Sequence, residues 1–210
     1  MPNMLLDALE SQLVLVDYQT RLMPALFEAP LVLANAVRLA RMAQLMQVPT
    51  WATAQNPSRL GENMPELQAV LAASGARTFT KMSFGAGVGD LVDALRPPER
   101  KAAPTGNARS LPKHLQKAVA PAAVPRISVL LAGCEAHVCL LQTALNLLDE
   151  EFEVWVVTDA CSSRSERNRD AAFDRLASNG AELVTTEMVA FEWLRSAEHP
   201  LFKQMQALIK

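Results

Sequence analysis

The stretch ISVLLAGCEAHVCLLQTALNLLDEEFEVWVVTDA, residues 127–160, decides the fold. It opens with an apolar run, passes through a turn with two cysteines, continues with apolar residues at helical spacing, and ends in a second apolar, β-branched run. This order is typical of a βαβ unit, whose two strands lie parallel in one sheet. Because the first run is apolar throughout, we expect helices on both faces of that sheet.

The same alternation continues in both directions along the chain. It predicts six strands, at 12–17, 49–55, 77–81, 127–133, 153–160 and 182–188, and helices at about 31–46, 64–74, 88–95, 137–149, 166–179, 189–196 and 201–209. We therefore predict an α/β fold, a three-layer α/β/α sandwich with a six-stranded parallel, doubly wound sheet in the order 3-2-1-4-5-6. In the second helix, Pro65 suits a first-turn position and Asn63 is the candidate N-cap.

The bulk composition fits one domain, spanning residues 1–210. Half of the 210 residues are hydrophobic and a fifth are charged, which is close to the average of globular proteins. The segment 96–126 differs, because it holds six of the chain's thirteen prolines and only a short helical pattern. We expect it to form a surface excursion rather than a linker between domains.

Charge and apolar patterning exclude several classes of partner. A net charge of -2 and the lack of a long Lys and Arg run predict no nucleic-acid partner. No apolar run approaches the roughly 18 to 20 residues that span a bilayer, and the acidic first residues do not resemble a secretory signal. Three cysteines argue against a disulfide framework. The expectation is a cytoplasmic protein with no membrane partner.

Three reactive residues follow three different predicted strands. Asp17 ends the first strand, Lys81 ends the third, and Cys139 lies in the first turn of the helix after the fourth. In the predicted order, strands 1 and 4 flank the point where strand order reverses, and ligands bind at this point outside the carboxyl ends of the strands. Since a lysine side chain reaches far, we expect all three side chains to meet in one cleft.

These residues suit nucleophilic catalysis. A free thiol has a pKa near 8.5, and a nearby cation and a helix N-terminus both favour the thiolate of Cys139. Asp17 is then placed to take the thiol proton, pass it to the leaving group and activate water, while backbone N–H groups hold the oxyanion. The pattern indicates a cysteine amidohydrolase. Each residue also has an ordinary alternative: packing for Cys139, a turn or cap for Asp17, a solvated charge for Lys81.

Other chemistries fit less well. A zinc site of Cys134, His137 and Cys139 lacks a second ligand cluster, so no metal is expected. A Cys139–His137 dyad is disfavoured because residues two apart at a helix start point to different faces. The glycines of FGAGVGD (84–90) have the wrong spacing for a dinucleotide, so we expect no cofactor. A redox-responsive thiol would lack a resolving cysteine at C-x-x-C spacing.

Four segments together resemble the isochorismatase-like cysteine hydrolases, and within them the YcaC-related and isochorismatase-domain-containing subgroup. They are LVLVDYQTRLMPAL, TAQNPSRLGENMPEL, TKMSF, and the long block that runs from AGCEAHVCLLQ to TTEMVAFEWL. The resemblance covers nearly the whole chain and implies a six-stranded parallel sheet between helices. It also implies a catalytic triad of Asp17, Lys81 and Cys139.

The resemblance implies further details of the site. A cis peptide bond is expected between Cys134 and Glu135, and oxyanion amides are expected at Glu135 and Cys139. Gln55 and Phe84, near the ends of strands 2 and 3, are candidate pocket residues, although each has an equal interpretation as scaffold. The segment AQNPSRLGEN lacks the histidines with which nicotinamidases of this superfamily hold a metal.

The leading hypothesis is a hydrolase that cleaves a small amide or related acyl substrate through a thioester. In it Cys139 is the nucleophile, Asp17 the general base, and Lys81 the group that activates the thiolate. The alternatives are a non-catalytic interaction or regulatory protein that keeps the fold, and vinyl ether hydrolysis of the isochorismatase type. The family resemblance implies a homo-oligomer, a dimer or larger. The apolar face of MVAFEWL (188–194) is a candidate interface, and burial of that face within the monomer is the more ordinary alternative.

Overall fold

Six parallel strands form one central sheet in the computed structural model, which describes residues 5–87, 89–96 and 126–210. The strands are β1 (Ser11–Val16), β2 (Thr50–Gln55), β3 (Arg77–Lys81), β4 (Ser128–Gly133), β5 (Glu153–Val157) and β6 (Glu182–Val184). They are hydrogen-bonded in the order β3-β2-β1-β4-β5-β6, and every pair is parallel. The predicted fold class and strand order are confirmed.

Helices connect these strands. They are α1 (Ala29–Leu45), α2 (Pro57–Leu60), α3 (Pro65–Ser74), α4 (Asp90–Leu95), α5 (Leu141–Asp149), α6 (Glu166–Ser178), α7 (Thr186–Leu194) and α8 (Phe202–Ile209). Short 3₁₀ turns occupy Met23–Ala25 and Thr158–Ala160, and a π-helical turn occupies Ala136–Leu140. Among the helices described here, none is both long enough and apolar enough to cross a membrane.

Strand β1 lies at the centre of the sheet and is buried over its whole length. Its last residue, Val16, is in register with Thr53 of β2 and with Gly133 of β4. A Cβ atom on Gly133 would lie only 2.5 Å from the Val16 carbonyl oxygen, so only glycine permits this approach of β4 to β1. The close approach brings the residues that follow the two strands, Asp17 and Cys134, to the same edge of the sheet.

Two predicted strands are too long at their carboxyl ends. Residues 158–160, predicted as part of β5, form a 3₁₀ turn, and residues 186–188, predicted as part of β6, belong to α7. Polar caps explain the earlier helix start. The Thr185 side chain accepts from the Met188 N–H, and Asp159 Oδ1 accepts from the N–H of Thr186 at 2.8 Å and from its hydroxyl at 2.9 Å.

The predicted cap of α3 is also wrong. Pro65 does occupy the first turn, but the residue before the helix is Met64, not Asn63. Asn63 is buried, pairs with Gln19 in a β-bridge, and donates from Nδ2 to the Thr53 carbonyl at 3.1 Å. Its amide therefore supports the loops beside β1 and β2 instead of the helix.

The predicted surface excursion at 96–126 lies outside the described residues except for its two ends, Arg96 and Arg126. Arg126 donates to the carbonyls of Ala8 and Ser11, each at 2.8 Å, and so anchors the start of β4 to the chain before β1. The single domain over 1–210 stays a prediction.

Candidate active site

Asp17 follows the central strand directly and is fully buried. Its φ of 56° lies in the left-handed region, which a non-glycine residue adopts only under local constraint. Both carboxylate oxygens have partners: the Thr53 hydroxyl donates to Oδ1 at 2.7 Å, and Lys81 Nζ donates to Oδ2 at 2.6 Å. Residues of β2 and β3 thus hold the carboxylate that follows β1 in one orientation.

Lys81, the last residue of β3, is not the solvated charge that a strand end usually carries. Its side chain is only 8% exposed and forms a buried ion pair with Asp17. The ammonium also donates to Gln55 Oε1 at 2.9 Å and to the Phe84 carbonyl at 2.8 Å. Oxygen atoms from three places therefore surround the Nζ atom, which holds the cation at the site and satisfies its hydrogen-bonding capacity.

Cys139 lies in the π-helical turn after β4 and is buried. Burial, and after it the negative charge of Asp17, raise the pKa of the Cys139 thiol to about 12 although Lys81 lowers it. The cation favours the thiolate as expected, but burial and Asp17 outweigh it, so the thiol is protonated at neutral pH. The structure nevertheless brings Asp17, Lys81 and Cys139 together, since both charged groups lie close enough to the thiol to shift its pKa, in opposite directions.

The high pKa of Cys139 predicts how its alkylation depends on pH. Only the thiolate reacts with iodoacetamide, so labelling of the native protein should rise about tenfold per pH unit from pH 7 to pH 10. The same cysteine in the urea-unfolded chain serves as control and should level off near its ordinary pKa. Quantitative peptide mapping measures both rates. A native rate that levels off at pH 8 to 9 would contradict the assigned pKa.

The other two cysteines are packing residues. Cys134 and Cys161 are buried and free, and burial raises the pKa of both thiols, to about 12 for Cys161. The peptide bond between Cys134 and Glu135 is cis. Cys134 Sγ lies 3.9 Å from the sulfur of Met23 in the core, so its side chain points away from the strand-end cleft.

Glu135 has a side-chain partner that the sequence interpretation missed. Its carboxylate is bound by both arms of the Arg164 guanidinium, at 3.0 Å from Nε and 2.5 Å from the terminal nitrogen, and by the Arg164 N–H at 3.1 Å. These hydrogen bonds hold the pKa of the Glu135 carboxyl below its usual value. The sequence SSRS, residues 162–165, does not predict this contact, because Glu135 and Arg164 are 29 positions apart.

His137 takes no part in the group around Cys139. Its Nδ1 lies 2.9 Å from the Ser163 hydroxyl, and its Nε2 lies 3.4 Å from Asn168 Nδ2 on α6. The imidazole therefore connects the π-helical turn to Ser163 and to α6. Within the described residues, no group of three or more His, Cys, Asp and Glu side chains is arranged to hold a metal ion.

A cavity of about 320 Å³ opens beside the thiol. Both candidate pocket residues, Gln55 and Phe84, line it together with Cys139. The remaining lining residues among those described are Leu22, Leu60, Glu135, Val138 and Arg164. The cavity is small for a ligand site, and the thiol is part of its wall.

Thr143 connects the nucleophile turn to the loop after β3. Its buried hydroxyl donates to the Cys139 carbonyl at 2.7 Å and accepts from the Ala86 N–H at 3.0 Å. Gly85 and Gly87 flank the contact, and a Cβ atom on Gly87 would lie 2.8 Å from the Thr143 carbonyl. The loop that supplies the Phe84 carbonyl to Lys81 is thus fixed against α5.

Replacement of Thr143 by valine should remove both hydrogen bonds and leave a buried N–H without its partner. We expect the free energy of unfolding to fall by about 1–3 kcal/mol in urea titrations. Thr143→Ser, which keeps the hydroxyl, is the matched control and should lose less. Equal losses in the two variants would show that the methyl group, not the hydroxyl, holds this contact.

The family model of the isochorismatase domain matches residues 11–188. Isochorismatase domain-containing protein 2B of Mus musculus is 35% identical over 201 residues, which are 95% of this chain and 81% of that protein. Isochorismatase domain-containing protein 2 of Pongo abelii is 36% identical over 200 residues, 95% of this chain and 83% of that protein.

Two solved structures extend the comparison. The MAR1 ribonuclease from Caenorhabditis elegans superposes with a TM-score of 0.80 at 30% identity, over 97% of this chain and 91% of that chain. The YcaC gene product from Escherichia coli, described as an octameric hydrolase of unknown specificity, superposes with a TM-score of 0.79 at 25% identity, over 100% and 91% of the two chains.

The doubly wound sheet thus agrees with one class, the isochorismatase fold. This chain belongs to the isochorismatase family.

Proposed function

We propose that this protein is a hydrolase of small amides or related acyl compounds, and that it acts through a thioester on Cys139. The observation that carries the proposal is the meeting of Asp17 and Lys81, from two strand ends, with Cys139, whose side chain lines a small cavity. A nucleophile, a base and a cation at one cavity are the parts that covalent acyl transfer requires.

The first half of the reaction forms the thioester. Cys139 rests as a protonated thiol, and Asp17 removes its proton as the sulfur attacks the substrate carbonyl. The Lys81 ammonium stabilises the sulfur's developing negative charge, in keeping with its lowering of the thiol pKa. We assign the oxyanion to the backbone N–H groups of Glu135 and Cys139. When the C–N bond breaks, Asp17 returns the proton to the departing amine.

The second half releases the acid. Asp17, again ionised, takes a proton from water as the water oxygen attacks the thioester carbonyl. The C–S bond then breaks, the carboxylic acid leaves, and the proton on Asp17 returns to the sulfur. Gln55 has a supporting role in both halves, because its Oε1 holds Lys81 and its side chain lines the cavity.

A substrate screen tests the proposal directly. Small amides, carbamates and esters are incubated with the native protein and with Cys139→Ala, and release of amine or acid is measured. The proposal requires at least one compound whose hydrolysis depends on Cys139. Because the similar protein from C. elegans is described as a ribonuclease, RNA belongs in the same screen. RNA cleavage retained by Cys139→Ala, with no amide or ester turned over, would contradict the proposal.

One observation favours the second candidate, a non-catalytic interaction or regulatory protein. The pKa of Cys139, about 12, is far from that of a thiol activated at rest. Labelling experiments separate the two functions. A catalytic site predicts that good substrates protect Cys139 from iodoacetamide and are consumed. A non-catalytic protein predicts that no member of the screen is turned over.

We also propose that the protein works as a homo-oligomer. The E. coli protein of similar structure is an octamer. Leu5, Met188 and Phe191 form an exposed apolar area on and beside α7 that would be covered in such an assembly. Light scattering of the wild type and of Phe191→Asp measures the effect, and an unchanged mass in both would place the contact elsewhere.

A further inference from the structure

The walls of the cavity beside Cys139 are mostly apolar. Leu22, Leu60, Phe84 and Val138 supply them among the described residues, and the Phe84 side chain is 54% exposed. An apolar ligand group placed here would cover part of the exposed Phe84 ring and would itself be removed from water. Both changes favour binding. The cavity volume of about 320 Å³ is at the lower end of the range for ligand sites, so the cavity suits a small ligand.

The charged groups at this cavity are already paired. Glu135 and Arg164, which both line it, form an ion pair with two side-chain hydrogen bonds, and Asp17 and Lys81, which are not among the lining residues, form another at 2.6 Å. The Cys139 thiol is protonated at neutral pH because its pKa is about 12. The groups that face the cavity therefore carry no net charge, and neither sign of ligand charge finds an unmatched partner.

An ionised ligand would consequently lose water on entering the cavity without a compensating charge. It would gain only by competing with Glu135 for Arg164 or, beyond the lining residues, with Asp17 for Lys81. Competition for Lys81 would also disturb Asp17, which takes the thiol proton in the proposed mechanism. An uncharged ligand with an apolar substituent avoids both costs and gains from the apolar walls.

We infer that the substrates are uncharged amides, or related uncharged acyl compounds, whose apolar substituent packs against Phe84 and Leu60. This inference rests on the proposed function. Phe84 and the Glu135–Arg164 pair then determine the substrate specificity of the site. The scissile carbonyl lies at Cys139, and the substituent extends along the apolar walls.

The charge selectivity is tested with two alkylating reagents of nearly the same shape, neutral iodoacetamide and anionic iodoacetate. Peptide mapping gives the ratio of their rates at Cys139 in the native protein, and the same peptide in the urea-unfolded chain gives the intrinsic ratio. We expect the native ratio to favour iodoacetamide by at least about tenfold over the unfolded reference. A native ratio equal to the reference, or in favour of iodoacetate, would overturn the inference.

The source of the selectivity is tested by Glu135→Gln, which leaves the positive charge of Arg164 without its partner. The native ratio should then move toward iodoacetate by about tenfold. Glu187→Gln, which removes an exposed acid outside the cavity, is the matched control and should leave the ratio unchanged. An unchanged ratio in Glu135→Gln would remove the Glu135–Arg164 pair from the explanation.

The apolar contact is tested with acetamide, propionamide and butyramide. The second-order rate constant for hydrolysis should rise with chain length in the wild type, and Phe84→Ala should flatten that rise. Phe191→Ala is the matched control, since Phe191 is 44% exposed and lies outside the cavity. Preference for an anionic amide such as succinamate would contradict the substrate class while leaving the thioester mechanism intact. Failure of both alkylating reagents to label Cys139 would sink the proposed function and this inference together.

Discussion

Cys139→Ala is expected to abolish amide hydrolysis, with a loss of at least about 10⁴-fold in the rate constant. In the proposed mechanism the sulfur atom forms the bond to the acyl group, and no other described side chain at the cavity is placed to replace it. Cys134 and Cys161 are buried in the core and do not line the cavity. Removal of the thiol should therefore leave only substrate binding and the proposed oxyanion amides to support any reaction.

The variant must be shown to be folded before the loss is interpreted. Cys139 is small and lies at the edge of the core, so alanine should change the free energy of unfolding by no more than about 1–2 kcal/mol. Cys161→Ala is the matched control, because it removes a buried cysteine without touching the cavity. Activity retained by Cys139→Ala, or lost equally in Cys161→Ala, would contradict the role of Cys139.

Asp17→Asn is expected to move hydrolysis and alkylation in opposite directions. Hydrolysis should fall by roughly 10²–10⁴-fold, because asparagine cannot accept the thiol proton. Alkylation of Cys139 at pH 7 should become faster, because the negative charge that helps to raise the thiol pKa is gone while Lys81 remains. Each unit by which the pKa falls increases the thiolate about tenfold. A role for Asp17 confined to structure does not predict this divergence.

Loss of the Asp17 charge also leaves Lys81 as a buried cation without its partner. Breaking such a pair typically costs about 3–5 kcal/mol of stability. The double variant Asp17→Asn/Lys81→Met removes both charges and should recover part of this loss, but none of the hydrolysis. The double variant lacks both charges that shift the pKa of Cys139. Because the lysine that lowers this pKa is absent, alkylation should be slower than in Asp17→Asn alone. Equal alkylation rates in the wild type and all variants would show that neither charge acts on the thiol.

The sheet and the meeting of the three residues were predictable from sequence for a definite reason. Continuous apolar runs predicted the positions of the strands. The rule that ligands bind at the carboxyl ends of parallel strands then predicted that Asp17, Lys81 and Cys139 lie close together. The order 3-2-1-4-5-6 needed only the most common doubly wound connectivity. No side-chain contact had to be known for these steps.

Properties that depend on the balance of opposing effects were not predictable. A cation near Cys139 predicts a low thiol pKa, but the depth of burial and the distance to Asp17 decide the sign, and neither is written in the spacing. The Glu135–Arg164 pair joins two loops that follow different strands. The ends of β5 and β6 depend on Asp159 and Thr185, whose capping role appears only once α7 is in place.

The central claim is that Cys139 forms a covalent bond to the acyl group of the substrate. The most direct measurement is to mix the protein with a compound that the screen identifies, quench in acid within the first turnovers, and map the modified peptide by mass spectrometry. We predict an acyl group on Cys139, absent from Cys139→Ala and removed by neutral hydroxylamine as a thioester is. Turnover without any acylated Cys139, or an adduct on a different residue, would contradict this mechanism.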